Sequence, residues 1–210
     1  EWALNMKKIL ILAGQDVHCK VVEAAKELGV YTIVADYLCD SPAKKLADES
    51  SMVSILDVEE VYKLAKEKQV DGIINFCNDP ACKVLQEVNE RLKLPNIGTL
   101  EQVAVLTNKV KFKKFCIDND VDVIPEYTKQ DMVTDSIQYP VLVKPTDSRG
   151  SRGVTVCNNL NELLNAIDVA KEESSNGEVI IEKYLENNQD LTITYIVKDG
   201  NPYLISIGDR

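Results

Sequence analysis

The first half of the chain alternates short apolar runs with stretches in which apolar residues recur at helical spacing. Lys7 to Ala13 is an apolar run that ends before Gly14, and the stretch from Val17 to Leu28 has the pattern of an amphipathic helix that Gly29 ends. The same alternation predicts strands at 31–35 and 71–76 and helices at 58–68 and 81–92. Strands that are apolar on both faces and alternate with helices predict a parallel sheet with right-handed crossovers.

The pattern changes after Pro95, where two helices are predicted at 100–106 and 109–119. After Pro125 the apolar runs are short, and turn sequences such as Lys198-Asp199-Gly200-Asn201 favour hairpins. The predicted elements are two strands joined by a glycine-rich turn over 139–157, a helix near 161–173, and strands near 178–183, 190–197 and 202–207. We therefore predict an antiparallel sheet in the second half.

These changes predict three regions: an α/β domain over 6–98, a helical linker over 99–125 and a second domain over 126–210. The chain stops directly after an apolar strand, and about 85 residues make a small core. We therefore expect the second domain to be truncated. Met6-Lys7-Lys8 is typical of a natural start, which would make residues 1–5 vector-derived.

The composition of the chain indicates the class of protein. The 210 residues are 45% hydrophobic and 28% charged, as in a soluble globular protein, and the formal net charge of −10 disfavours nonspecific binding to nucleic acid or an anionic membrane. The longest apolar run is too short to span a bilayer, and no signal peptide is recognisable. Six cysteines without a CxxC pair, and His18 as the single histidine, predict buried free thiols in the cytoplasm rather than a metal site.

Gly14 invites comparison with the dinucleotide-binding motif, which needs two further glycines at fixed positions. Those positions hold Asp16 and Cys19, and the Asp16 carboxylate would repel a pyrophosphate. Asp36 does end the second strand where a ribose-binding acid would stand. Asp16 is more simply explained as the N-cap of the first helix. The sequence also lacks the phosphate loop of simple nucleotide hydrolases and the nucleophile elbow of serine hydrolases.

Three charged residues mark the ends of predicted elements in the second half. Lys109 opens a helix, Lys144 ends an apolar strand and Glu182 ends another. Between the last two lies Ser148-Arg149-Gly150-Ser151-Arg152-Gly153-Val154. A loop rich in glycine and hydroxyl groups can turn successive backbone N–H groups toward phosphate oxygens, and lysines supply the charge that those oxygens need.

In this order and at these intervals, the features resemble the ATP-grasp superfamily, in the branch that contains the carbamoyl phosphate synthase large chain, biotin carboxylase and purine-pathway ligases. Ser41-Pro42-Ala43 and Leu46-Ala47-Asp48 look like the pre-grasp domain of that branch, and Ile181-Glu182-Lys183-Tyr184-Leu185 looks like the start of the grasp. The resemblance implies an α/β fold: a Rossmann-like parallel-sheet pre-ATP-grasp domain followed by a partial ATP-grasp domain with antiparallel strands.

By this resemblance, Lys109 would contact the α- and β-phosphates, Lys144 would contact phosphate and the adenine edge, and the glycine loop would close over the β- and γ-phosphates. Glu182 would accept a hydrogen bond from the adenine amino group, and the Leu185 backbone N–H would donate to the ring. Asp190 stands where the family usually has a ribose-binding glutamate. The predicted nucleotide-binding residues are Lys109, Lys144, Ser148, Gly150, Ser151, Gly153, Glu182, Lys183, Tyr184, Leu185 and Asp190.

The resemblance further implies a cytoplasmic ATP-dependent ligase, in which a small carboxylate or bicarbonate attacks the γ-phosphate and an amine captures the acylphosphate. The cofactors would be ATP and Mg²⁺, with the magnesium ligands downstream of this chain, so we assign no catalytic or metal residue and expect the chain to be inactive alone. Neither nucleic acid nor membrane is expected as a partner, and a homodimer is left open. Two alternatives are an NAD-binding oxidoreductase module and a noncatalytic nucleotide-sensing protein.

Overall fold

The computed structural model describes residues 6–148, 150–186 and 188–209. Contacts between residues divide the chain into two compact units, one ending at Val123 and one beginning at Ile124. The three-part division predicted above stays a prediction.

The first unit is built on a four-stranded parallel sheet. Its strands are β1 (Lys8–Leu12), β2 (Tyr31–Ala35), β3 (Glu49–Ser51) and β4 (Gly72–Asn75), in the order β3-β2-β1-β4. Leu10 of β1 pairs with Ile33 of β2 and with Ile73 of β4. The parallel sheet predicted from the apolar runs is confirmed, and the short strand β3 is an addition to it.

Helices cover both faces of this sheet. They are α1 (Asp16–Glu27), α2 (Val58–Lys68) and α3 (Ala81–Leu92), together with a short 3₁₀ helix at Pro42–Lys45. Leu10, Leu12 and Ile33 belong to the core formed with α2 and α3, whereas Ile11 and Val34 pack with α1. The prediction that Asp16 caps α1 is wrong: the N-cap is Gln15, and Asp16 is the first residue of the helix.

Two further helices follow in the first unit, α4 (Leu100–Thr107) and α5 (Lys109–Asp118). Thr99 begins α4 with a capping box, in which its hydroxyl accepts from Gln102 N at 3.2 Å and the Gln102 side chain accepts from Thr99 N at 2.8 Å. Asn108 caps α5 by accepting from Lys111 N at 3.0 Å. These caps satisfy backbone donors that a helix start leaves without partners.

The second unit contains a four-stranded antiparallel sheet with the order β5-β8-β6-β7. Its strands are β5 (Glu126–Tyr127), β6 (Val141–Pro145), β7 (Thr155–Cys157) and β8 (Val179–Lys183), and its helices are α6 (Lys129–Val133) and α7 (Leu160–Glu172). Val141, Val143 and Ile181 form a core with Leu163 and Ile167 of α7. Because side chains alternate along a strand, Leu142, Lys144 and Glu182 lie on the face that points away from α7.

A separate hairpin follows, formed by β9 (Leu191–Lys198) and β10 (Asn201–Asp209). Asp199 and Gly200 have φ of 51° and 76°, which is the left-handed turn that matches the twist of a hairpin. The predicted antiparallel pairing of these strands is therefore confirmed.

The six cysteines are all described and all free, but the expectation that they are buried is wrong for most of them. Cys157 is buried, Cys39 and Cys77 are exposed, and the other three are intermediate. Over the described parts of the chain, every helix is too short or too polar to cross a lipid bilayer.

Candidate functional site

A lysine and a glutamate pair on the sheet face that points away from α7. Across β6 and β8, Leu142 pairs with Glu182 and Lys144 pairs with Ile180, so Lys144 and Glu182 are diagonal neighbours. Lys144 Nζ donates to Glu182 Oε1. The Glu182 side chain is 2% exposed and that of Lys144 is 20% exposed. A carboxylate so deeply buried needs a charged partner, and Lys144 supplies one while keeping an edge to solvent.

The residues after Glu182 differ in whether the fold supplies an acceptor for their backbone N–H groups. Lys183 N donates to Pro125 O at 3.0 Å, and Tyr184 N donates to Pro140 O at 3.2 Å. The Leu185 N–H has no acceptor among the described residues, and the Leu185 side chain is about half exposed. The segment therefore offers an acceptor at Glu182 and, at Leu185, a backbone donor with no acceptor among the described residues. Between them, the hydrogen bonds of Lys183 N and Tyr184 N hold the backbone in place. This is the arrangement that an adenine edge, with one amino donor and one ring acceptor, requires.

The glycine loop between β6 and β7 carries a run of unused backbone donors. The N–H groups of Gly150, Ser151, Arg152 and Gly153 find no acceptor among the described residues, whereas Val154 N donates to Ser151 O at 3.3 Å. Gly150 and Ser151 both have positive φ, at 63° and 57°. Unpaired N–H groups close together in a turn form a concave site for anions. Arg149, the second residue of this loop sequence, lies outside the described residues.

Gly153 is a position in this loop where an added side chain would clash with its neighbours. Its φ is 67°, and a Cβ would lie 2.9 Å from Pro145 Cγ, 3.1 Å from Glu173 Cβ and 3.3 Å from Ala170 Cα. The loop is therefore pressed against the C-terminal end of α7. Ser148 Oγ donates to Arg152 O at 2.9 Å and closes the loop across its width.

The remaining predicted residues are less informative. Lys109 is the first residue of α5 in the first unit and is partly buried. Lys183 is exposed at the end of β8, Tyr184 is 37% exposed, and Asp190 is exposed just before β9. In the second unit the structure brings Lys144 and Glu182 together. The nucleotide-binding roles of all the predicted residues stay predictions.

The sequence analysis missed a polar cluster at the base of the glycine loop. Asp147 directly precedes the loop, and its carboxylate accepts hydrogen bonds from Ser174 and Ser175, in the turn that follows α7. The signal in the sequence is weak, because an aspartate after Lys144-Pro145-Thr146 and a Ser-Ser-Asn turn are each common loop chemistry. Only the fold places them side by side.

The loop after β1 does not offer a dinucleotide site. Gly14 N donates to Asp36 Oδ2 at 2.7 Å and Leu38 N donates to Asp36 Oδ1 at 2.8 Å, and Asp36 is buried. A Cβ at Gly14 would lie 2.5 Å from Ser41 Cβ. The carboxylate that a ribose would need is therefore used by the backbone, and the space beside the glycine is filled by the chain itself.

No group of three or more His, Cys, Asp or Glu side chains that could hold a metal ion is found within residues 6–148, 150–186 and 188–209.

Comparison with known proteins finds a family model that matches the second half of the chain. Residues 107–210 match the family described as "Carbamoyl-phosphate synthase L chain, ATP binding domain". Among curated proteins, the chain is 26% identical over 228 residues to the 2-oxoglutarate carboxylase small subunit of Hydrogenobacter thermophilus, which covers 97% of this chain and 48% of that protein. It is 29% identical over 206 residues to a formate-dependent phosphoribosylglycinamide formyltransferase of Prochlorococcus marinus, which covers 91% of this chain and 51% of that protein.

Solved structures show the same likeness over the whole chain. The biotin carboxylase domain dimer of the Hydrogenobacter thermophilus 2-oxoglutarate carboxylase, in complex with MgADP, ADP and bicarbonate, superposes with a TM-score of 0.84 at 26% identity, covering 98% of this chain and 50% of that one. Biotin carboxylase from Campylobacter jejuni superposes with a TM-score of 0.83 at 23% identity, covering 100% of this chain and 52% of that one. This second likeness shows that the two chains share a fold.

These matches confirm the resemblance to the ATP-grasp superfamily, in the branch of carbamoyl phosphate synthase and biotin carboxylase, and the predicted combination of parallel and antiparallel sheets. They fit the prediction of an ATP-binding portion of a ligase, with ATP and Mg²⁺ as its cofactors, and do not fit the NAD-binding alternative. The chain spans about half the length of the curated relatives it matches.

Proposed function

We propose that this chain binds ATP with Mg²⁺ and supplies the nucleotide-binding part of an ATP-dependent ligase that activates a small carboxylate or bicarbonate. The observation that carries the proposal is the glycine loop, where four consecutive residues, 150–153, have backbone N–H groups without acceptors among the described residues. Such donors at the end of a strand that also carries Lys144 are suited to phosphate oxygens.

The adenine would lie beside the end of β8. Its amino group would donate to Glu182, and its ring nitrogen would accept from the Leu185 N–H, which the fold leaves without an acceptor among the described residues. Lys144 is already held by Glu182, so its ammonium group is fixed in direction before a nucleotide arrives. Preorganised charge of this kind costs little reorganisation when the ligand binds.

The chemistry supported by this arrangement is phosphoryl transfer to a carboxylate or bicarbonate oxygen, which gives an acylphosphate that an amine can attack. The loop donors and Lys144 would hold the phosphate chain and balance its charge, and bound Mg²⁺ would add charge stabilisation on the phosphate oxygens. We further propose that the protein acts in the cytoplasm and assembles as a homodimer; the Hydrogenobacter relative with bicarbonate and MgADP is a dimer.

The first prediction is a nucleotide-dependent gain in melting temperature. ATP with Mg²⁺ should raise the melting temperature of the protein more than NAD does, since a ligand at about 100 times its Kd adds about 2.7 kcal/mol to the stability of the folded state. Lys144→Ala should remove most of this shift, measured for each variant against its own nucleotide-free melting temperature.

Lys171→Ala is the matched control. Lys171 is also a lysine of the second unit, but it lies on α7 and forms an exposed pair with Asp168 at 3.4 Å. Its removal should leave the ATP-dependent shift unchanged. Stabilisation by NAD and none by ATP would overturn the proposed function.

A further inference from the structure

The glycine loop is attached at its base to a second polar segment, well away in sequence. Asp147 Oδ1 accepts from Ser174 Oγ at 2.9 Å, and Ser175 N lies 3.2 Å from Asp147 Oδ2 and 3.3 Å from Oδ1. Ser175 Oγ also donates to Asp147 Oδ2. One carboxylate therefore gathers one backbone and two hydroxyl donors from the turn between α7 and β8. We call Thr146, Asp147, Ser174, Ser175 and Asn176 the loop anchor.

Thr146 adds a second layer to the loop anchor. It is almost fully buried; its N–H donates to Glu178 O at 3.2 Å and its hydroxyl donates to Asn176 Oδ1 at 3.2 Å. Asn176 Oδ1 also accepts from Glu178 N at 2.9 Å. Ser174 Oγ lies 2.7 Å from the same Asn176 oxygen, so its single proton can serve Asn176 or Asp147 at any one time. The two residues before the loop are thus held by side chains and backbone together.

Two hydroxyl groups and a backbone N–H donate to the charged Asp147 carboxylate. No lysine or arginine within the described ranges forms an ion pair with it. The Ser175 hydroxyl is the main cause of a pKa below the ordinary value, burial opposes it, and Ser174 and the Ser175 N–H reinforce it. Charge-assisted hydrogen bonds from groups with fixed directions specify geometry, whereas an exposed ion pair specifies little.

The other end of the loop is fixed at the same place. Gly153 packs against Ala170 and Glu173, which lead directly into Ser174 and Ser175. One end of the loop is therefore held by hydrogen bonds from the turn that follows α7, and the other packs closely against the C-terminal end of that helix. The unused N–H groups of residues 150–153 lie between these two attachments.

We propose that Asp147 is a positioning residue, which holds the base of the glycine loop on Ser174 and Ser175 and so determines how tightly the protein binds the phosphate chain of the nucleotide. This inference rests on the proposed ATP binding and names a residue outside the predicted nucleotide contacts. Asp147 would act through the loop and not by touching the nucleotide. Its carboxylate already accepts hydrogen bonds from Ser174 and Ser175, and its negative charge would repel a phosphate.

The test compares ligands that share adenosine but differ in phosphates. Asp147→Ala and Ser175→Ala should each weaken ATP binding by about tenfold or more, as expected when charge-assisted hydrogen bonds that position a binding loop are lost. Binding of AMP should change by less than about twofold. Ser175→Thr keeps the hydroxyl and should restore ATP affinity. A general loss of stability would instead lower the affinities for ATP and for AMP together. Isothermal titration of the full chain measures both affinities.

Hydrogen exchange without nucleotide provides the second arm. Asp147→Ala should speed amide exchange in peptides covering 148–154 and 174–176, while Asp168→Asn, an exposed acid on α7, should not. Unchanged exchange in 148–154, or equal losses of ATP and AMP affinity, would overturn the role of Asp147. A wild-type protein that binds neither ligand would instead overturn the proposed function, and the exchange result would still decide whether Asp147 holds the loop.

Discussion

The loops after β1 and after β6 contain similar residues but differ in whether the fold satisfies their polar groups. Each follows an apolar strand, and each contains a glycine against which other residues pack closely. After β1, Gly14 N donates to the carboxylate of Asp36, which follows β2 and also accepts from Leu38 N. Lys44 Nζ donates to Asp36 O and Leu38 O at 2.6 Å each. After β6, the donors of residues 150–153 are left without acceptors among the described residues.

The difference shows what distinguishes a binding loop from a structural one. A glycine and a charge near the end of a strand are present in both cases, so they do not decide the matter. What decides it is whether the polar groups are already satisfied within the fold, because a satisfied group gains little by binding a ligand. The Gly14 N–H of the first loop is satisfied by Asp36 from the segment after β2, whereas the donors of the second loop need an anionic partner or water.

The largest expected effect is on the packing of the second loop. Gly153→Ala should lower the free energy of unfolding by about 2–4 kcal/mol, since it adds a methyl group within 2.9 Å of Pro145 Cγ at a left-handed backbone position. Urea denaturation followed by circular dichroism measures the change. Gly150→Ala is the control: its φ is also positive, at 63°, but a Cβ there meets nothing within 4 Å, so about 1 kcal/mol is expected. Equal costs at the two positions would show that the loop does not pack on α7.

The next effect concerns the segment after β2 that lies against the first loop, where the buried Lys44 donates to two backbone carbonyls. Lys44→Met should destabilise the protein by about 1–3 kcal/mol, because it leaves the carbonyls of Asp36 and Leu38 without their charged donor. ATP affinity should not change, in contrast to Lys144→Ala. Lys45→Met, at the neighbouring position of the 3₁₀ helix but exposed, should cost less than about 0.5 kcal/mol. A loss of ATP binding in Lys44→Met would contradict the division of roles between the two loops.

Much of the fold could be predicted from periodicity. The helices at 58–68 and 81–92 were predicted at the bounds the structure has, since an apolar stripe of helical spacing and a clear stop are local features. The strand β3 and the helix α6 were missed because they have 3 and 5 residues, too few for a period to appear. β5 is shorter still, with 2 residues, and exists because Glu126 and Tyr127 pair with β8.

The candidate site divides in the same way. Lys144, Glu182 and the glycine loop stand out in the sequence because each breaks an apolar run. Their mutual arrangement, with Lys144 diagonal to Glu182, depends on the register of β6 and β8, which no local pattern contains. Asp147 and Ser175 are 28 residues apart in the sequence. Asp36 has the sequence position of a ribose-binding acid, but in the structure its carboxylate accepts from two backbone N–H groups. Long-range hydrogen bonds are therefore the part that the sequence did not reveal.

The smallest expected effect concerns the response of the first unit to acid. Partial burial raises the pKa of Asp48, but hydrogen bonds from Thr32 N at 2.9 Å and Thr32 Oγ1 at 2.7 Å, with Lys26 at 3.0 Å, more than offset this, so the pKa lies below its ordinary value of 3.8. A lowered folded-state pKa gives stability that is fully present above the unfolded value and is lost as the pH falls through the folded one. Asp48→Asn should therefore cost about 1 kcal/mol at pH 7, and less as the pH falls below about 3.8.

Salt separates Asp48 from Asp147 of the second unit. Because Lys26 supplies part of the interaction, 1 M salt should reduce the cost of Asp48→Asn, whereas the cost of Asp147→Asn should change little, since hydroxyl and backbone donors are not screened in this way. Urea midpoints at pH 7, 5 and 3.5, each at low and high salt, measure both effects, with the exposed Asp122→Asn as the control. A cost that grows on acidification, or equal salt dependence at the two aspartates, would contradict the view that the first unit holds this carboxylate partly by charge and the second holds its own by geometry.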